Sequence, residues 1–109
     1  MKAFVFASAL IVFGAGAAMA DEMPTFEITI KDHVFSPATV EVPAGEEVKL
    51  VVKNLDVTPE EFESHELYLE KIIAGGSEGI FLLEPLEAGE YKFFGEFNEA
   101  TAQGVLVAK

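Results

Sequence analysis

Glu61, Glu63 and His65 recur at every second position, so an extended chain through them puts two carboxylates and an imidazole on one face. Carboxylate oxygen and imidazole nitrogen suit Fe2+, Fe3+, Mn2+ and Cu2+ better than Cu+, which prefers sulfur. The chain has no cysteine, which excludes a blue-copper centre, a zinc ribbon and an iron–sulfur cluster. Its methionines are Met1, Met19 and Met23, so no methionine-rich copper-shuttling motif exists. Each of the three candidates also has a plainer reading. Glu61 or Glu63 alone is a solvated strand position in a glutamate-rich chain, and His65 an exposed strand residue beside Glu66 and Glu70. The other histidine, His33, sits in the bend Lys31 to Pro37. There an imidazole either caps the turn or serves as a ligand at the end of the domain or in a second site.

Other chemistries are set aside on geometry. Ser64 and His65 are adjacent, and adjacent strand residues point to opposite faces, so they cannot act as a nucleophile and its base. Gly75-Gly76 is not followed by Lys-Ser/Thr, so it is no phosphate loop. A pair such as Glu61 with Glu96 has the groups for acid–base work on a sugar, but so small a domain offers little cleft for one.

The chain opens Met1-Lys2, continues with an apolar small-residue run to Ala17, and reads Ala18-Met19-Ala20 before Asp21. A basic start, a short apolar region and an Ala-x-Ala site are the parts of a secretory signal peptide over residues 1–20. The run is shorter than the roughly 20 residues a membrane span needs. Residues 21–109 then form one domain of 89 residues, without a disulfide staple, whose core must hold by packing. Removing Lys2 takes the net charge from −12 to −13. That field disfavours nucleic acid and anionic lipid and favours cations or a basic protein partner. Acidity also simply keeps an exported protein soluble.

The elements that must position the candidates are strands. Phe26 to Ile30, Thr39 to Val42 and Glu47 to Asn54 alternate apolar and polar residues, and Pro43-Ala44-Gly45 is a turn. Pro37 ends pairing after the Lys31 bend, and Asp56 to Glu60 reads as a loop. Phe62 to Glu70 reads as one strand, with Glu61, Glu63, His65, Leu67 and Leu69 on one face. Ile80 to Leu83 follows Gly75-Gly76, and two alternating strands close the chain between Tyr91 and Val107. About seven short strands without a convincing helix predict an all-β, Greek-key β-sandwich.

Three stretches together resemble a cupredoxin. They are Asp32 to Gly45 (Asp-x-x-Phe-x-Pro, then Val-x-Val-Pro-Ala-Gly), Val51 to Asn54, and Pro85 to Val107 with its Gly-Glu-Tyr-Lys-Phe turn. In that frame the strand Tyr91-x-Phe93 leads to Gly95 at the cysteine position, Asn98 at the histidine position and Gln103 at the methionine position. A further family ligand comes from the strand after the Asn54 loop, where Glu61, Glu63 and His65 lie. Glu96, beside the cysteine position, is added to the candidate set, and Gln103 is a weak axial oxygen donor. Alternation points Gly95 inward and Glu96 to the other face, which argues against its converging on Glu61, Glu63 and His65 unless the strand bulges.

Pro59 to Ser64, Gly95-Glu96-Phe97 and Thr101 to Gly104 are similar to the cysteine-less cupredoxin-like proteins of bacterial ferrous-iron uptake systems. That resemblance implies a periplasmic location, an iron or copper ion as ligand, and help in oxidising or handing over Fe2+. It also implies two partners, a membrane iron permease and a separate periplasmic iron-binding protein. A histidine is expected in the closing loop where this chain has Asn98. The resulting expectation is a metal-binding accessory of iron transport with ligands among Glu61, Glu63, His65, Glu96, His33 and Gln103. The competing expectation is a metal-free sandwich that docks a partner through its acidic surface.

Overall fold

The computed structural model of the chain describes residues 23–109. The signal-like segment expected over residues 1–20 lies outside the described residues. Alternation decides the architecture. In β1 (Thr25–Lys31) Ile28 and Ile30 point inward, and in β4 (Val48–Asn54) Val48, Leu50, Val52 and Asn54 do. Their polar neighbours face out, so each strand has one face that must be covered. Two sheets cover each other. One joins β2 (Val34–Ser36), β1, β4 and β7 (Glu78–Leu83) in that order. The other joins β3 (Thr39–Val42), β9 (Gln103–Ala108), β8 (Gly89–Gly95), β5 (Glu60–Ser64) and β6 (Leu69–Ile73). β1 runs parallel to β4 and β3 parallel to β9, while the other pairs are antiparallel. Strands distant in sequence thus become neighbours, the crossing expected of a Greek-key sandwich.

Four phenylalanines lock the two layers. Phe62 on β5 packs its ring 5.7 Å from Phe35 on β2, 5.1 Å from Phe81 on β7 and 5.2 Å from Phe93 on β8. Phe35 and Phe93 meet edge to face at 5.3 Å. Such edge-to-face and tilted contacts match the quadrupole preference of aromatic rings.

Nine strands are described where about seven are expected, because two segments fold back on themselves. The Lys31 bend contains β2, paired with β1 through Ile30 and Phe35. Asp32 and His33 take positive φ, 53° and 63°, and the Asp56 carboxylate accepts both of their N–H groups at 2.7 and 3.0 Å. The expected strand Phe62 to Glu70 is instead a hairpin. β5 ends at Ser64, residues 65–68 turn with Tyr68 at φ 58°, and β6 returns. Ser64 makes the turn: its hydroxyl donates to the Lys92 carbonyl at 2.6 Å and accepts the Leu67 N–H at 3.2 Å. The loop expected over Asp56 to Glu60 stops one residue earlier, because Glu60 is already in β5. Asn54 holds that loop: its amide donates to the Thr58 and Ile73 carbonyls at 2.8 and 3.0 Å, and its oxygen accepts the Asp56 N–H at 3.0 Å.

Phe62 is fully buried and touches rings from both sheets. Phe62→Ala is therefore expected to cost about 3–5 kcal/mol, seen as a lower urea midpoint at unchanged slope.

Candidate metal centre

β5 is the strand that builds the site. Its inward residues are Glu60, Phe62 and Ser64, so Glu61 and Glu63 face out, each half-buried. β6 lies on one side and sets Glu70 directly opposite Glu63. β8 lies on the other, pairing Phe62 with Gly95 and Glu63 with Phe94. The chain then leaves β8 in a 3-10 turn, Glu96–Asn98, whose first residue is Glu96. One carboxylate oxygen from each of Glu61, Glu63, Glu70 and Glu96 lies within 4.8 Å of all the others.

Four like charges this close repel, and a neutralised carboxyl relieves the crowding. Glu61 is pushed up to about 7, first by a hydrogen bond shared with Glu70, then by burial, then by the charges of Glu70, Glu96 and Glu63. Glu63 is raised by the same kind of bond with Glu96, by burial and by the Glu96 charge, while His65 pulls the other way. Glu63 Oε1 is buried and meets no donor in the ionised cluster; the bond with Glu96 exists only when one of the pair keeps a proton. Either a proton or a cation can sit among these oxygens, and a hard cation fits an all-carboxylate set.

The remaining candidates stand outside this group. His65 opens the hairpin turn, mostly exposed, with Nε2 3.1 Å from Glu63 Oε2 and its ring edge-on to Phe94 at 5.3 Å. It steadies Glu63 from the rim. His33 is half-buried, its Nδ1 has no partner, and its carbonyl accepts the Thr101 hydroxyl at 2.6 Å. Gln103 is exposed and its amide donates to the Glu99 carbonyl at 2.7 Å. Glu96 joins Glu61 and Glu63 without a bulge in the β5–β8 register, because all three lie on the outer face. Glu70 was not a candidate; only the hairpin register places it against Glu63.

The Cupredoxin-like domain family matches residues 3–108. This chain is a cupredoxin-like protein. A relative from Rickettsia prowazekii, Uncharacterized protein RP394, is 45% identical over 87 residues, 80% of this chain and 70% of the relative. Solved copper-protein structures share the fold at low identity. Auracyanin A, a blue copper protein from Chloroflexus aurantiacus, superposes with a TM-score of 0.68 at 16% identity, covering 81% of this chain and 100% of its own. The purple cupredoxin of Nitrosopumilus maritimus gives 0.59 at 20%, covering 76% and 98%. The metal-binding domain of the Streptococcus pneumoniae Cu(I)-exporting ATPase CopA gives 0.66 at 15%, covering 78% and 84%.

The residues present do not fit the thiolate copper site of such a fold. No cysteine exists, Gly95 stands at its position, and a Cβ added to Gly95 would lie 2.7 Å from the Glu60 carboxylate. Among the described residues, the carboxylate oxygens that come together lie on the outer face.

The outer cluster carries a pH signature. The folded chain holds a proton on Glu61 up to about 7, whereas the unfolded chain releases it near 4.5. The metal-free protein therefore loses stability as pH rises through that window. Urea midpoints at about pH 5 and about pH 7.5 are expected to differ in that sense, and Glu61→Gln to flatten the difference.

Proposed function

We propose that this protein is a periplasmic, cupredoxin-like accessory of iron transport. It takes Fe2+ or Cu2+ as cargo on the outer carboxylate cluster and assists ferrous oxidation or handover to a membrane permease. The observation that carries the reading is the convergence of Glu61, Glu63, Glu70 and Glu96 from two strands and a turn to within 4.8 Å. The donor-less Glu63 Oε1 supports it. Hard oxygen ligands favour Fe3+ over Fe2+, so the cluster lowers the cost of removing one electron. Dioxygen is the acceptor class in this proposal, with four Fe2+ oxidised in successive one-electron turnovers and four protons taken from solvent for each O2 reduced to two waters. Glu70 and Glu96 are exposed, which leaves a side open for a receiving protein.

Anaerobic calorimetric titration with Fe2+ and then Cu2+ tests this. One ion per chain is expected, with affinity rising through pH about 7 as the Glu61 proton leaves. Glu61→Gln/Glu63→Gln should weaken binding at least tenfold, about 1.4 kcal/mol, and remove any acceleration of oxygen consumption by Fe2+. Unchanged binding in that variant sinks the assignment and redirects the search to His33.

A metal-free docking module is the second reading, favoured by the loss of the thiolate and by 19 acidic residues against 7 basic ones. The two separate by salt: an exposed docking surface weakens steeply with ionic strength, a chelate much less.

A further inference from the structure

Glu60 is the only acidic side chain in the core among the described residues, 2% exposed. A carboxylate taken out of water needs converging donors, and three reach it. Its Oε1 accepts the N–H groups of Glu61 and Phe97, both at 2.9 Å, and its Oε2 accepts the Asn98 amide at 2.8 Å. Two of the three come from the closing loop, 37 and 38 residues further along the chain. Gly95 makes the room. A Cβ there would lie 2.6 Å from Glu60 Cδ and 2.8 Å from the Ala102 methyl, so position 95 carries no side chain while Glu60 stays in place.

We propose that Glu60 is a built-in anion on the inner face of β5, a latch that gathers residues 95–103 through their N–H groups and fills the space at position 95 that a thiolate ligand would need. A cation gathers lone pairs; this carboxylate gathers N–H groups, and Asn98 meets it with an amide in place of an imidazole. A thiolate at position 95 and the Glu60 carboxylate would compete for one space, so the latch and the thiolate site exclude each other. The inference is independent of whether the outer cluster takes a metal.

An exchange of partners tests it. Asn98→Asp sets carboxylate against carboxylate and is expected to lower Tm by about 10 °C. Glu60→Gln/Asn98→Asp restores one donor and one anion and should recover at least half of the loss. Gly95→Ala should be costly in the natural background and less so beside Glu60→Ala, where only the Ala102 contact remains, a non-additivity that reports direct contact between positions 60 and 95. In metal titration Glu60→Gln should leave any Cu2+ affinity within about threefold of the natural chain, because Glu60 touches no bound ion. Failure of the exchange to recover Tm overturns the latch. Cu2+ affinity lost in Glu60→Gln but kept in Glu61→Gln/Glu63→Gln also overturns it, since Glu60 would then be a ligand of an inner site.

Discussion

The pleat of β5 is the constraint on which the rest depends. Five consecutive residues, Glu60 to Ser64, alternate between the interior and the outer face of one sheet. On the inner side Glu60 gathers the closing loop, Phe62 bridges the two layers and Ser64 fastens the hairpin to β8. On the outer side Glu61 and Glu63 meet carboxylates from both neighbours. A shift of one residue in register would carry the Glu61 and Glu63 carboxylates inward and the Phe62 ring into water, so no alternative pairing competes.

Two carboxylate environments follow from that single strand, and they differ in what surrounds the charge. Glu60 is buried, but each of its oxygens accepts at least one N–H, so charge and site agree. Glu61 and Glu63 are less buried, yet what faces them is more negative charge, and the pair Glu63 and Glu70 is directly opposed across the β5–β6 ladder. Like charges so placed destabilise a sheet. A fold that keeps such a pair beside a stable core concentrates its electrostatic tension on one patch of surface, while the structural carboxylate a few ångströms beneath is satisfied. Charge count alone does not separate these roles; the identity of the neighbours does.

Much of the fold was legible because strands write their pleat into sequence. Ile28 and Ile30, Val48, Leu50 and Val52, and Tyr91, Phe93 and Gly95 all alternate as the sheets require. The hairpin at Ser64 was not legible: residues 65–68 contain no glycine, proline or asparagine, and the turn is made by a serine hydroxyl and by Tyr68 at positive φ. Missing that turn hid Glu70, whose place opposite Glu63 exists only once β6 folds back. Glu60 was hidden for a related reason. It follows Pro59 and reads as loop, and only the strand's true start turns its side chain inward. Glu61, Glu63 and Glu96 stood out by type and spacing, whereas the face on which they meet needed the register of β5 against β8.

Under the proposed function, the placement of the four outer carboxylates would also decide how fast cargo moves. Glu61 and Glu63 rise from the middle of a strand, while Glu70 and Glu96 lie on its flanks in the open. On that proposal an ion held there would leave by stepwise replacement of one oxygen by another, with incoming groups from a receiving protein binding before the last outgoing one lets go. Its residence time would be governed by the number of oxygens engaged, which is the kinetic behaviour of a relay rather than of a store.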